Sequence, residues 1–305
     1  MDLTSSSAEA DDRLGAKPIV TIGNFDGVHL GHRALLERAA ALGAPSGAPV
    51  LALTFDPTPA EVLGRGAIAP RIESTHLRVE RLLAAGAARV VVEPFTREFA
   101  AQPAAWFASE VLGQRLRAAG VVIGWDFRFG AGRAGDAALL QRALGVPVAQ
   151  VSAVLIGDEP VSSTRVRAAI ASGQAALAAT LLGRPHELVG EVVHGDHRGR
   201  SLGYPTANVR VQGSMLPADG VYAVELVVGD TSWPGMANIG VRPTFGAGRS
   251  VEVHAFGLHD ELYGAAVRVR LVQWLRAERT FAGPAELVAQ LAQDASAALL
   301  ALSQA

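Results

Sequence analysis

The chain contains no cysteine, which removes disulfides, thiolate nucleophiles, iron–sulfur clusters and cysteine-bound zinc from consideration. Its single lysine is Lys17, so a Gly-x-x-x-x-Gly-Lys-Ser/Thr phosphate loop cannot exist, and any ATP chemistry must use another architecture. No apolar run approaches the ~20 residues of a membrane helix; Val90 to Val92 and Val121 to Ile123 are of strand length. The first sixteen residues are polar and acidic, with Asp2, Glu9, Asp11 and Asp12. They lack the basic and apolar regions of a secretory signal, so a cytoplasmic protein with a loose amino-terminal tail is expected. A net charge of -2 offers no basic field for a nucleic-acid backbone. Neither nucleic acid nor membrane is expected as a partner.

What is present fits a globular chain: 305 residues, 50% hydrophobic and 18% charged, enough for two domains with separate cores. The rhythm changes near Gly183-Arg184-Pro185, which sets expected domains at 17–182 and 183–305. Before that point short apolar runs (Ile19 to Ile22, Val50 to Phe55) alternate with helical stretches such as Gly31 to Leu42, the pattern of βαβ units around a parallel sheet. A nucleotide would sit at the carboxyl ends of its strands. After it, β-rich runs at Leu188 to His194, Gly220 to Val228, Gly235 to Ile239, Ser250 to Phe256 and Val267 to Leu275 are separated by turn residues, which suggests a small antiparallel barrel or sandwich. Pro284 and the spacing of Leu287, Val288, Leu291 and Leu299 predict a closing helix that packs on the core.

The densest group of site-like residues is Gly23-Asn24-Phe25-Asp26-Gly27-Val28-His29-Leu30-Gly31-His32, where a strand gives way to a helix. His29 and His32 are three apart and would project from one turn at the helix's positive end, which favours phosphate. There they could stabilise charge developing on an α-phosphate and its leaving pyrophosphate. Without context the glycines equally permit a tight turn with two solvated histidines. A second segment, Ser162-Ser163-Thr164-Arg165-Val166-Arg167, offers hydroxyls, amides and guanidiniums to a triphosphate, or simply a helix cap. Between them Asp126, Phe127 and Arg128 follow the strand Val121 to Ile123.

In the second half, His194-Gly195-Asp196-His197-Arg198-Gly199-Arg200 forms a glycine- and arginine-rich loop whose amides and guanidiniums, at Gly195, Arg198, Gly199 and Arg200, could cover ATP phosphates. It returns through Pro205-Thr206-Ala207-Asn208. Thr206 and Asn208, two apart in an extended segment, face one side and offer the neutral oxygens that suit Mg²⁺. Val251-Glu252-Val253-His254-Ala255 alternates, with Glu252 and His254 on one face. A carboxylate there could orient a primary alcohol and accept its proton during attack on a γ-phosphate; solvent exposure is the ordinary alternative.

These motifs, in this order from about Pro18 to Phe281, resemble the bifunctional bacterial riboflavin kinase/FMN adenylyltransferases. The resemblance implies a Rossmann-like α/β nucleotidyltransferase domain of the His-x-Gly-His type, then a small antiparallel β-barrel kinase domain with a carboxyl-terminal helix. It implies riboflavin, FMN and ATP as substrates, FMN and FAD as products, and Mg²⁺ as the metal. It also implies phosphate binding by Gly23, Asn24, Phe25 and Gly31, nucleotide or flavin contacts from Asp126, Phe127 and Arg128, and Glu252 as general base. Thr54-Phe55-Asp56-Pro57-Thr58-Pro59 departs from the family, which usually has histidine where Thr58 stands. Two alternatives remain open: only the kinase half is efficient, or the chain binds flavin or nucleotide without turnover.

Overall fold

The computed structural model describes residues 4–5, 7, 16–64, 67–194, 203–241, 248–258 and 260–304. They form two compact units, one of Met1–Ala69 with Thr75–Ser162, the other of Pro70–Ser74 with Ser163–Ala305.

The first unit holds strands β1 (Thr4–Ser5), β2 (Ile19–Ile22), β3 (Val50–Phe55), β4 (Arg89–Glu93), β5 (Gly120–Gly124) and β6 (Val148–Val151), with a hairpin of β7 (Leu155–Ile156) and β8 (Glu159–Pro160). Its helices are α1 (Leu30–Gly43), α2 (Pro59–Leu63), α3 (Thr75–Ala84), α4 (Arg97–Ala100), α5 (Ala104–Trp106) and α6 (Ala137–Leu144). Strand order is β1-β4-β3-β2-β5-β6 and every pairing is parallel. Every residue of β2 and β3 is buried, as expected for a parallel sheet covered on both faces. One core contains Val20, Leu51, Leu53, Val121 and Ile123 with Phe107 and Leu112, the other Ile19, Val50 and Val122 with Leu36, Ala39 and Leu82. Thr4–Ser5 departs from the expected loose tail by pairing with β4 at Val91 and Val92, which covers an otherwise open sheet edge.

The second unit begins with α7 (Ser163–Ala171) and α8 (Ala175–Leu182) and continues through β9 (His186–Val193), β10 (Ala207–Val211), β11 (Gly220–Val228), β12 (Thr231–Val241), β13 (Arg249–Ala255) and β14 (Ala266–Arg276). These six strands close as an antiparallel barrel in the order β10-β13-β12-β11-β14-β9. β13 shows the cause, with Val251, Val253 and Ala255 buried and alternate residues less so, the two-residue period of a strand with one face inside. Leu188, Val224, Leu226, Ile239, Val251, Val253 and Val269 fill the interior. The last helix, α9 (Pro284–Ser303), starts with proline at its first turn and packs Leu291, Ala295, Ala298 and Ala301 against Ala223 and Met236 outside the barrel.

Candidate active sites

In the first unit the chain runs from β2 outward through β3 to β4, then crosses to β5 and β6. The switch point is therefore the crevice at the carboxyl ends of β2 and β5, where open α/β sheets take ligands. The segment Gly23 to His32 follows β2, and Trp125 to Arg128 follows β5. His29 is the residue before the first turn of α1 and is only 5% exposed. Its ring stacks on His32 with centroids 3.6 Å apart and planes 18° from parallel, and the edge of Phe25 meets His32 at 5.1 Å. Phe25 (φ +51°) and Val28 (φ +35°) are non-glycine residues in the left-handed region, at a cost of about 1–3 kcal/mol each. Both side chains are buried, so the strained turn is held by packing.

Two glycines sit where a side chain would be tight. A Cβ at Gly23 would come within 3.2 Å of the Phe25 ring; at Gly31 it would lie 3.2 Å from the His29 ring and 3.5 Å from the Val161 carbonyl oxygen. That last approach also shows that the segment leading into Ser162 runs beside the start of α1. Ser162 closes the first unit, whereas Ser163, Thr164, Arg165 and Arg167 belong to the first turns of α7 in the second. There Arg167 Nε donates to the Pro70 carbonyl at 2.9 Å.

Arg78, 2% exposed on α3, donates from Nη1 to the Asn24 carbonyl at 2.8 Å and from Nη2 to the Phe55 carbonyl at 3.0 Å. Thr54 Oγ1 donates to the same Asn24 oxygen at 3.1 Å. The loop after β2 and the end of β3 are thereby tied together by a buried cation that no local sequence motif announced. Thr58 has local work. It caps α2 in a capping box, accepting from Glu61 N–H at 3.4 Å while its own N–H donates to Glu61 Oε2 at 2.7 Å. After β5, Asp126 is exposed and Phe127 stacks on Phe129 at 5.7 Å. Arg128 pairs with Asp136 at 3.4 Å and not with Asp126. The Leu139 N–H, and after it the Arg128 charge, holds the Asp136 carboxyl below its usual range.

In the barrel, register gathers what the sequence left apart. Glu252 on β13 is paired with Asn208 on β10 and with Asn238 on β12, so all three side chains share one rung and one face. Asn238 Nδ2 donates to Glu278 Oε1 at 3.0 Å. Glu278 lies so close over Gly240 that a Cβ there would meet its carboxylate at 2.1 Å. A cavity of about 270 Å³ is lined by Glu252, Asn238 and Glu278 together with apolar Val221, Met236 and Phe281. A second, of about 190 Å³, is lined by Leu226, Leu258, Leu262 and Tyr263. Thr206 lines both. Asn208 is buried, and its Oδ1 has no hydrogen-bond partner among the described residues. Gly195, Arg198, Gly199 and Arg200 lie outside the described residues. Register brings Asn238 to Glu252, whereas Glu278, two residues past β14, was not visible as a site residue beforehand and joins through its contact with Asn238.

Known proteins match this arrangement half by half and as a whole. Residues 12–165 match the family model for FAD synthetase, and residues 182–302 that for riboflavin kinase. The bifunctional riboflavin kinase/FMN adenylyltransferase of Escherichia coli K12 is 42% identical over 281 residues, covering 90% of each chain. That of Bacillus subtilis is 35% identical over 297 residues, covering 93% of this chain and 92% of its own. A solved Streptococcus pneumoniae structure described as a macrolide-efflux protein superposes with a TM-score of 0.86 at 31% identity, covering 91% of this chain and 92% of the other. Among the described residues here no helix is long and apolar enough to cross a membrane. On the strength of both domain matches and the near full-length relatives, the chain belongs to the bifunctional riboflavin kinase/FMN adenylyltransferase family.

Proposed function

We propose that the second half of the chain phosphorylates riboflavin with ATP to give FMN and ADP, and that the first half joins FMN to the adenylyl group of ATP, giving FAD and pyrophosphate. The observation that carries the kinase half is the rung Asn208, Glu252, Asn238 beside a threonine shared by two cavities. The larger cavity, apolar at Val221, Met236, Phe281 and Leu287, suits a flat ring system with a polyol tail directed at Glu252. The smaller takes the nucleotide. Glu252 orients the terminal hydroxyl and takes its proton as the oxygen attacks the γ-phosphorus and ADP departs. The Asn208 amide oxygen, buried without a partner among the described residues, and the Thr206 hydroxyl are hard neutral donors that fit Mg²⁺. When bound, that ion would neutralise charge on the phosphates.

For adenylyl transfer, a phosphate oxygen of FMN attacks the α-phosphorus of ATP directly, and pyrophosphate leaves. The amino end of α1 with Gly23, Asn24, Phe25 and Gly31 receives phosphate, and His29 and His32 stabilise the charge that develops. Ser162, Ser163, Thr164, Arg165 and Arg167 offer hydroxyls and guanidiniums to the triphosphate, and Asp126, Phe127 and Arg128 contact nucleotide or flavin. We place the functional boundary between 182 and 183, and the enzyme in the cytoplasm, where ATP is supplied.

A second reading, with only the kinase efficient, draws on Thr58, whose hydroxyl is engaged in capping α2. The test is chromatography of the flavins formed from riboflavin, ATP and Mg²⁺, with FMN supplied in parallel. FAD from both supports the full reading; FMN alone, with supplied FMN untouched, supports the second; no new flavin overturns both. Glu252→Gln should lower FMN formation by about 10²- to 10⁴-fold yet still adenylylate FMN, and His32→Ala should do the reverse.

A further inference from the structure

We infer that His254 is a positioning residue of the kinase site, one that holds the Pro205–Thr206 peptide and thereby sets where the Thr206 hydroxyl meets metal and phosphate. The β10 to β13 ladder starts with Ala207 opposite Val253 and Asn208 opposite Glu252. One step further out, Thr206 would face His254, but the ladder has stopped, and Pro205 has no N–H with which to extend it. Thr206 therefore stands just outside the hydrogen-bonded strands while lining both cavities.

The His254 side chain takes over where the ladder ends. Its Nδ1 lies 2.7 Å from the Pro205 carbonyl oxygen, and a carbonyl only accepts, so Nδ1 carries the proton. The ring is bracketed by Tyr204 at 5.2 Å and Phe256 at 5.5 Å, both near edge-on. Pro205 C=O and Thr206 N belong to one planar peptide unit. Holding that oxygen fixes the rotation of the plane, and with it the direction in which the Thr206 side chain leaves the backbone. His254 is also two residues from Glu252 on the same face of β13. A single strand thus carries the base for the attacking hydroxyl and the anchor of the segment that receives the phosphate, so the two are kept in register.

The inference rests on the assignment of Thr206 to metal and nucleotide, and the experiment separates the two. Kinase rates of the full chain are measured against Mg²⁺-ATP for His254→Asn, His254→Gln, His254→Phe and Thr206→Val, with the barrel's thermal unfolding as the check on folding. Asparagine places an amide nitrogen near the Nδ1 position, glutamine near Nε2, and phenylalanine keeps the ring packing without a donor. His254→Gln and His254→Phe should raise half-saturating Mg²⁺-ATP about tenfold, the scale of one lost hydrogen bond. His254→Asn should stay within about threefold of the parent, and the barrel's Tm within about 4 °C of it in all three. Equal effects of asparagine and glutamine, or unchanged half-saturating Mg²⁺-ATP in His254→Gln and His254→Phe, would overturn the role of His254. No effect of Thr206→Val would overturn the Thr206 assignment and the inference with it.

Discussion

Asp294→Ala should loosen the helix that walls the larger cavity of the barrel and lower riboflavin affinity. Arg276 at the end of β14 grips Asp294 of α9 with both arms, Nε to Oδ1 at 2.9 Å and Nη2 to Oδ2 at 2.7 Å, and Gln290 Nε2 adds a third donor at 2.9 Å. The aspartate side chain is 4% exposed and the arginine 20%. Removing one member of such a pair costs about 3–5 kcal/mol, because the remaining charge is stranded. Arg276 keeps its bond to the Ala277 carbonyl and some access to water, which sets the expectation at the lower end, about 3 kcal/mol. For a unit of this size that lowers its Tm by roughly 6–12 °C. Leu287, Leu291 and Asp294 all line the cavity, so affinity should fall with stability. Calorimetry resolves the unit's transition, riboflavin titration reads the cavity, and adenylylation of supplied FMN should be spared. A shift below about 2 °C with unchanged riboflavin affinity would refute the claim that this pair holds the helix.

Two further perturbations probe other parts of the molecule. Burial pushes the Tyr222 phenol from 10.0 up to about 12. Its folded pKa lies above its unfolded one, so about 2–3 kcal/mol of stability is present below pH 10 and lost as pH rises through 12. Tyr222→Phe, which also leaves the Ala218 carbonyl without its 2.7 Å donor, should cost about 1 kcal/mol at pH 7 and flatten that alkaline loss in denaturation curves; an unchanged slope would reject it. Arg78→Met keeps volume but strips the donors from Asn24 and Phe55, and should reduce FAD formation from FMN by at least about tenfold while leaving FMN formation intact; equal loss of both would show that Arg78 merely stabilises the fold.

What the sequence made legible was local. The paired histidines, the Glu-x-His strand and the Pro-Thr-Ala-Asn segment each carry their pattern within a few residues, and periodicity separated a parallel half from an antiparallel one. β10 was not anticipated as a strand, because Ala207–Val211 is short and follows a glycine-rich loop; the barrel over the sandwich was settled by β10 joining β9 to β13. Arg78 and Glu278 stayed hidden for a related reason. Arg78 reads as an ordinary helical arginine, and the two carbonyls it bonds lie 54 and 23 residues away along the chain. The neighbours of Glu252 are a matter of register, which local pattern does not encode. Thr58 was marked as a departure by comparison with the family, but its capping partner Glu61, three residues on, was open to recognition as a capping box.

In the proposed assignment, both halves draw part of their phosphate contacts from the ends of ladders. Inside β2, β3 or β10 the backbone groups are consumed by neighbouring strands and have nothing to offer a ligand. At the strand ends, at Asn24, Phe55 and Pro205, the carbonyls need other donors, and a wandering backbone there would blur the site. The two units meet this need in the same way with unrelated residues. In one, the buried Arg78 bonds the carbonyls after β2 and at the last residue of β3; in the other, His254 bonds the carbonyl before β10. In each case the donor comes from a regular element, α3 or β13, that the site itself does not interrupt. The ligand-facing loops therefore inherit the rigidity of a helix or strand while their amides and hydroxyls remain available, which is what in-line phosphoryl or adenylyl transfer requires of a protein that supplies positioning and charge more than covalent chemistry.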